Sequence, residues 1–477
     1  MNYEPVIGLE VHVQIKTKSK AFCGCSTEFG AEPNSQVCPV CLGFPGSLPV
    51  LNASFLDAAI KVAVALGCQV QEFTKFDRKH YFYPDLPKNY QISQYDLPLA
   101  LNGFVDIELE SGAKRIRVKR VHLEEDAGKL IHADKMSLVD FNRTGMPLLE
   151  IVSEPDLYSP QEAYEYLNNL KSILSYLDIS DCDMEKGSLR CDANISVRPK
   201  GEEKLVIKSE LKNLNSFRAV RDSLTYEIER QVGALGVGEK IIQETRLWDD
   251  KESKTYSMRS KGEAKDYRYF PDPDLPPFII KFSKVDEIRK ALPELPKEKQ
   301  VRLMRDFGLS EYDAGILVFS KKDAEYSEDC MRKYPKENKK QVANLLIGPL
   351  LSEANNRNCR LVGLDLSAEN LLELIDYVDS NKISHLTAKI VLTEMIDTKK
   401  KASVIIQEKN LVQISDTSSL NISIEEVIKE NDKSVQDFKN GKENALMFLV
   451  GQVMKKTKGK ANPKILQELL RGRLKDA

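Results

Sequence analysis

The chain opens on a run, Gly8-Leu9-Glu10-Val11-His12-Val13-Gln14-Ile15, in which apolar and polar residues alternate without a break. That period predicts a strand with Glu10, His12 and Gln14 on one face. The period returns at 189–197, with Cys191, Ala193, Ile195 and Val197 on one side and Arg190, Asp192, Asn194 and Ser196 on the other. In 205–212, Lys208, Glu210 and Lys212 share a face. Two stretches follow the helical period instead. One has Ser159-Pro160-Gln161-Glu162 as its capping box, then Ala163, Tyr166, Leu167, Leu170, Ile173, Leu174 and Leu177. The other runs from Ser54 to Leu66 and stops at Gly67.

Short alternating runs and Pro/Gly-rich turns predict an α+β fold to residue 293: a mixed domain with a largely antiparallel sheet. The texture turns helical after Pro271 to Pro277 and Leu292-Pro293-Glu294-Leu295-Pro296. Val342, Leu345 and Leu346, then Leu371, Leu372, Leu374, Ile375 and Val378, carry the spacing of packed amphipathic helices. A linker is expected at Lys399 to Ser403, so the domains read 1–293, 294–405 and 406–477.

The polar strand faces bear chemistry. Carboxylates, one imidazole and cations, each on a strand whose other side is apolar, can floor a polar cavity; oxygen ligands with an imidazole suit Mg²⁺ or Mn²⁺. A sheet with one solvated face is the plainer reading of any single strand. Glu124-Glu125-Asp126 adds carboxylates, and Glu150 stands inside the apolar run Pro147 to Val152. A carboxylate there needs a metal or cationic partner, since burying it alone is costly.

Cys23 and Cys25 face Cys38 and Cys41 across a short loop, a spacing that fits a structural Zn²⁺ with all four positions filled by protein. Cys68, Cys182, Cys191, Cys330 and Cys359 stand alone. The net charge of −2 argues against a protein that coats nucleic acid indiscriminately. Lys439 to Ala477, however, holds ten Lys/Arg against three Asp/Glu, a local basic patch that suits nucleic acid. No apolar run reaches the roughly 18 residues of a membrane span, and the first residues read as strand, so a cytoplasmic protein with no membrane contact is expected. Gly233 to Lys240 (GALGVGEK) lacks the Gly-Lys-Ser/Thr ending of a P-loop.

Val139 to Glu150 (VDFNRTGMPLLE) resembles the signature of the B subunits of tRNA-dependent amidotransferases. The resemblance extends through VIGLEVHVQ (6–14), FGAEPNS (29–35), YFYPDLPKNYQISQYD (81–96), HLEEDAGK (122–129), RCDANISVRP (190–199), KNLNSF (212–217) and DYRYFPDPDLPP (266–277). The tail, KKTKGKANP (455–463), is similar to the family's YqeY-like C-terminal domain. Ile383-Ser384-His385-Leu386 departs from the family's usual Ile-Ser-Gly-Lys.

The resemblance implies a cradle domain, a helical domain and a small helical tail. It implies ATP-dependent phosphorylation of the side-chain carboxylate of Glu-tRNA(Gln) and/or Asp-tRNA(Asn), and amidation by ammonia channelled from an amidase subunit (A), with a small clamp subunit (C) completing a heterotrimer. It places Mg²⁺ at His12, Glu125 and Glu150, with Glu10, Asp192 and Glu210 forming a second site or outer shell. From the strand faces, Lys208, Lys212 and Arg190 are expected to neutralise phosphate. A non-catalytic zinc-containing RNA-binding protein is the alternative, disfavoured because RNA binding has no use for inward carboxylates.

Overall fold

The computed structural model describes residues 3–133, 136–202, 207–260, 267–412, 417–457, 461 and 463–476. It divides into two compact units, Met1–Pro296 and Lys297–Ala477.

The first unit is α+β. Its strands are β1 (Tyr3–Gln14), β2 (Gln69–Val70), β3 (Phe73–Thr74), β4 (Asp77–His80), β5 (Tyr90–Ser93), β6 (Ala100–Leu109), β7 (Gly112–Glu125), β8 (Lys129–Ala133) and β9 (Met136–Asp140). After these come β10 (Pro147–Ser153), β11 (Leu189–Pro199), β12 (Ser209–Lys212), β13 (Glu244–Asp249), β14 (Lys254–Ser260), β15 (Phe270–Pro271) and β16 (Phe278–Ile279). Nine form one sheet in the order β14-β13-β12-β11-β1-β10-β7-β6-β2. Every pair is antiparallel except β12 with β13. The short strands β15-β4-β5 make a second sheet.

Alternation decides what each face of the large sheet meets. Leu9, Val11, Val13, Leu149, Ile151, Cys191 and Ala193 point into a core shared with helices α2 (Ala53–Ala65), α3 (Pro160–Tyr176) and α4 (Phe217–Gly236), numbered after the one-turn α1 (Pro39–Leu42). The polar residues are left on the other face. Local signals fix the helices. Ser159 Oγ accepts from the Glu162 amide at 3.1 Å, while Glu162 reaches one residue further back than the box motif predicts, accepting from the Tyr158 amide at 2.6 Å. Asn52 caps α2 through the Ser54 amide at 2.9 Å. Gly67 follows α2 at φ +65°, where an added Cβ would stand 2.7 Å from Phe104, so only glycine fits the turn.

The second unit is helical and contains two separate cores. One gathers residues from Leu303 to Ile406, the other from Leu420 to Leu474. The linker expected at Lys399–Ser403 is only a turn: Lys399 adopts the left-handed conformation, and helix Ala402–Glu408 returns Ala402, Ile405 and Ile406 to the first core. Pro349 lies inside a π turn, Leu346–Leu350, which absorbs its missing N–H without ending the helical run. Among the described residues no helix is long and apolar enough to cross a membrane.

Candidate active site

Register across the sheet assembles the polar face. His12 lies opposite Glu150 on one side and Arg190 on the other, Glu10 is opposite Asp192, and Glu150 is opposite His122. Glu124, opposite Leu148, falls on the same face as His122 two residues before it. His12 Nε2 is 3.1 Å from Glu150 Oε2, 3.7 Å from Glu10 and 3.9 Å from Glu124. His122 Nε2 is 3.2 Å from both Glu124 and Glu150. Two groups of possible metal donors result, Glu10-His12-Glu150 and His122-Glu124-Glu150, each with its donor atoms within 4.8 Å of one another. Glu150 belongs to both. Two imidazoles and three carboxylates are a donor set suited to a divalent cation with oxygen preference.

The charges here are strongly coupled. Burial opposes a charge on His122, yet Glu150 and Glu124 outweigh it and raise the imidazole to about 9. Burial and the Glu150 charge push against ionisation of Glu124, but Lys79 and His122 bring it down to about 2. Glu150 is likewise held well below the usual carboxylate range, against its burial, by His122 and His12. Glu10 goes the other way, raised by burial and then by Glu150. Ser93 Oγ and Gln91 Nε2, on β5, donate to Glu124 at 2.6 and 3.2 Å.

The four cysteines also converge. Their Sγ atoms lie within 4.8 Å of one another, and Cys38 and Cys41 are 3.9 Å apart. Tetrahedral Zn–S bonds of about 2.3 Å require sulfurs roughly 3.8 Å apart. Lys20, with no exposed surface, directs Nζ to Cys41 Sγ at 3.8 Å and the Phe141 carbonyl at 3.4 Å. Hydrogen bonding from Cys23, with help from the Lys20 charge, brings the Cys41 thiol down to about 5.

The GatB/GatE catalytic domain family matches residues 5–286, and the GatB domain family matches residues 325–474. The chain is 54% identical over 477 residues to the B subunit of the aspartyl/glutamyl-tRNA(Asn/Gln) amidotransferase of Carboxydothermus hydrogenoformans, covering 99% of each chain. Its counterpart from Persephonella marina is 52% identical over 475 residues, with both chains covered in full. The chain belongs to the GatB family. Both donor groups and the cysteine quartet fall inside the match to the GatB/GatE catalytic domain.

Not every expected site residue of this GatB chain is brought to the polar face. Glu125 is turned away: its carboxylate accepts from Lys88 Nζ and, at 2.9 Å, from the Ile92 amide. It lines a pocket open to solvent, with Phe22, Cys41 and Tyr90. Glu124 stands in its place beside His12 and Glu150. Asp192 and Glu210 are bridged by the Lys212 ammonium, 3.2 Å from Glu210, and among the described residues neither joins Glu10 in a group of possible metal donors. Arg190 is engaged by Asp126 at 3.0 Å. Lys208 is exposed and precedes β12, which begins at Ser209, so it shares no strand face with Glu210 and Lys212.

Two residues of the site, His122 and Lys79, were not expected from the sequence, and Glu124 was expected only as a member of the Glu124-Glu125-Asp126 cluster, with the ligand role given to Glu125. The Lys79 ammonium, on β4, is pulled toward its charged form by Glu124 and Glu150 against its burial.

The His122 charge predicts a pH dependence. Because its folded value of about 9 lies above the ordinary histidine value of about 6.5, folding favours the protonated form. The contribution is complete below about pH 6.5 and is lost as pH rises through about 9. Without added divalent ions, the melting temperature is expected to be several degrees lower at about pH 9.5 than at about pH 6.5, with His122→Gln flattening that difference. Melting curves of both proteins check this; a slope unchanged by the substitution contradicts it.

Proposed function

We propose that this chain activates the side-chain carboxylate of Glu-tRNA(Gln) and/or Asp-tRNA(Asn) with ATP and completes amidation with ammonia delivered by an amidase subunit, a small clamp subunit holding the assembly together. The observation that carries the reading is Glu150, shared by two histidine-carboxylate groups on one sheet face. In the first step a substrate carboxylate oxygen attacks the γ-phosphorus, the bond to ADP breaks, and an acyl phosphate forms. In the second, ammonia nitrogen attacks the acyl carbon, phosphate leaves with the bonding pair, and nitrogen gives up a proton.

Glu10, His12, Glu124, His122 and Glu150 would hold Mg²⁺, which when bound supplies the charge that draws ATP phosphates to an otherwise anionic face. Lys79 faces the same carboxylates from β4 and is the cation best placed to meet transferring phosphate. Arg190 and Lys212 keep Asp126, Asp192 and Glu210 in position. Cys23, Cys25, Cys38 and Cys41 hold a structural Zn²⁺.

The test is conversion of Glu-tRNA(Gln) to Gln-tRNA(Gln), and of Asp-tRNA(Asn) to Asn-tRNA(Asn), by the co-purified complex with and without ATP. ATP-dependent product is expected; a correctly assembled complex inactive on both would favour a non-catalytic RNA-binding protein.

The tail is proposed to hold tRNA. Residues 417–476 contain twelve Lys/Arg and eight Asp/Glu, and some cations are spent internally, Lys456 on Glu426 and Glu430 and Arg471 on Glu443. Only a modest excess is left for phosphate. Deleting 439–477 is expected to weaken tRNA binding about tenfold at moderate salt, with the salt dependence reduced, and to leave the KM for ATP within about twofold. Filter binding across a salt series checks it; unchanged affinity removes the role.

A further inference from the structure

Four tyrosines form a continuous row leading away from the polar face. Tyr81 and Tyr267 have ring centroids 6.2 Å apart at 73°, Tyr267 and Tyr269 6.1 Å at 74°, and Tyr269 and Tyr95 4.3 Å at 11°. The inner end is set by strand pairing. Lys79 Nζ lies 5.2 Å from the Tyr267 ring, and Lys79 pairs across β4 and β5 with Gln91, whose Nε2 donates to Glu124 at 3.2 Å. The outer end is open, with Tyr95 53% exposed, and Tyr267 within the row is 38% exposed.

The row is held by backbone. His80 N donates to Tyr267 O at 2.9 Å, Phe270 pairs with Arg78 across β15 and β4, and the Tyr95 amide donates to Asp77 Oδ2 at 3.0 Å. Tyr267 meets both tyrosine neighbours in T-shaped contacts and stays exposed to solvent. Between Tyr267 and Tyr269, Arg268 takes a left-handed conformation, φ +44°, and its guanidinium stands over exposed Phe82 at 6.0 Å. A non-glycine residue in that region is strained and persists where the surroundings impose it.

We propose that this row is a stacking track for the unpaired 3′ nucleotides of the aminoacyl-tRNA, which lays them from Tyr95 inward so that the esterified amino acid arrives beside Lys79 and the carboxylate face. The proposal rests on the function proposed above. The substrate carboxylate there is tethered to the RNA 3′ end, so whatever adjoins the polar face must accept single-stranded nucleotides. Single-stranded RNA is recognised mainly by bases stacking on aromatic and guanidinium planes. A row of rings with the Lys79 ammonium against it, and a guanidinium over the neighbouring Phe82, are that combination, and their continuity with the site favours RNA over a protein partner.

The experiment uses the assembled complex and two probes: an acceptor-stem minihelix with its four unpaired 3′ nucleotides, and the same minihelix trimmed to the duplex. Wild type is expected to bind the intact probe about tenfold more tightly. Tyr267→Ala and Tyr95→Ala are expected to abolish that preference while leaving affinity for the trimmed probe and the KM for ATP within about twofold; Tyr267→Phe retains it, because the ring and not the hydroxyl does the stacking. Equal binding of the two probes by wild type overturns the proposal. So does a Tyr267→Ala complex with intact RNA preference and a raised KM for ATP, which would give the row to the adenine of ATP. Loss of ATP-dependent amidation in wild type, with the probe preference intact, would count against the proposed function and leave the track standing.

Discussion

Glu150→Gln in the assembled complex is expected to reduce ATP-dependent amidation by at least about 10³-fold, while glutamine hydrolysis by the proposed amidase subunit continues. The side chain is nearly isosteric, so the sheet should be kept. What changes is charge: Glu150 is the one carboxylate common to both donor groups, held ionised by His12 and His122. An amide would leave the two imidazoles without their shared anion and would remove the one carboxylate that both donor groups would offer a bound cation. The neighbouring pair Glu124 and Glu125 then discriminates between two assignments of the same site. Glu124→Gln is expected to weaken Mn²⁺ binding, followed by electron paramagnetic resonance, about 100-fold, and Glu125→Gln to change it by less than about threefold. Equal losses from both would mean that Glu125 swings into the site when metal binds, restoring the assignment made from family resemblance.

That choice shows where the sequence is legible and where it is not. The run from Gly8 to Ile15 fixes its own faces, because an unbroken period of two admits one phase, and Glu10, His12 and Gln14 do share the polar side. The same signal was available in Arg120-Val121-His122-Leu123-Glu124, which alternates as cleanly and puts His122 and Glu124 together. Three consecutive acids, beginning with Glu124 itself, mask that phase. Which of them faces Glu150 is settled by the pairing of β7 with β10, a contact between residues far apart in the chain. Lys79 gave no local sign at all: it comes from a four-residue strand in another sheet, and only tertiary packing brings it to Glu124. The misplaced linker has a different cause. Lysines at 399–401 read as a solvated break, but Ala402, Ile405 and Ile406 immediately after them supply the apolar face that keeps the next helix in the core.

Removing one ligand of the cysteine quartet should have an effect well beyond its loop. Cys41→Ser is expected to eliminate about one equivalent of zinc per chain, measured by elemental analysis, and to lower the melting temperature by at least about 5 °C, corresponding to roughly 2 kcal/mol or more. The clip is tied to the segment leading into the polar face. The Ala21 amide donates to Gly145 O at 2.8 Å, the Gln36 amide to Asn142 Oδ1 at 2.8 Å, and Lys20 Nζ to Phe141 O. From there the Gly145 amide donates to Asp126 O, and the Asp126 amide to Met146 O, both at 2.9 Å, joining the end of β7 to the start of β10. Lys20 makes the cost larger, since a fully buried ammonium that loses a thiolate partner keeps little more than one carbonyl. Loosening of the 140–146 segment should reach Glu124 and Glu150 through these strands, so Mn²⁺ affinity in Cys41→Ser is expected to fall about tenfold although no donor on that face has changed. Wild-type protein that carries no zinc, or a Cys41→Ser protein that melts with wild type, would leave the four as ordinary free thiols.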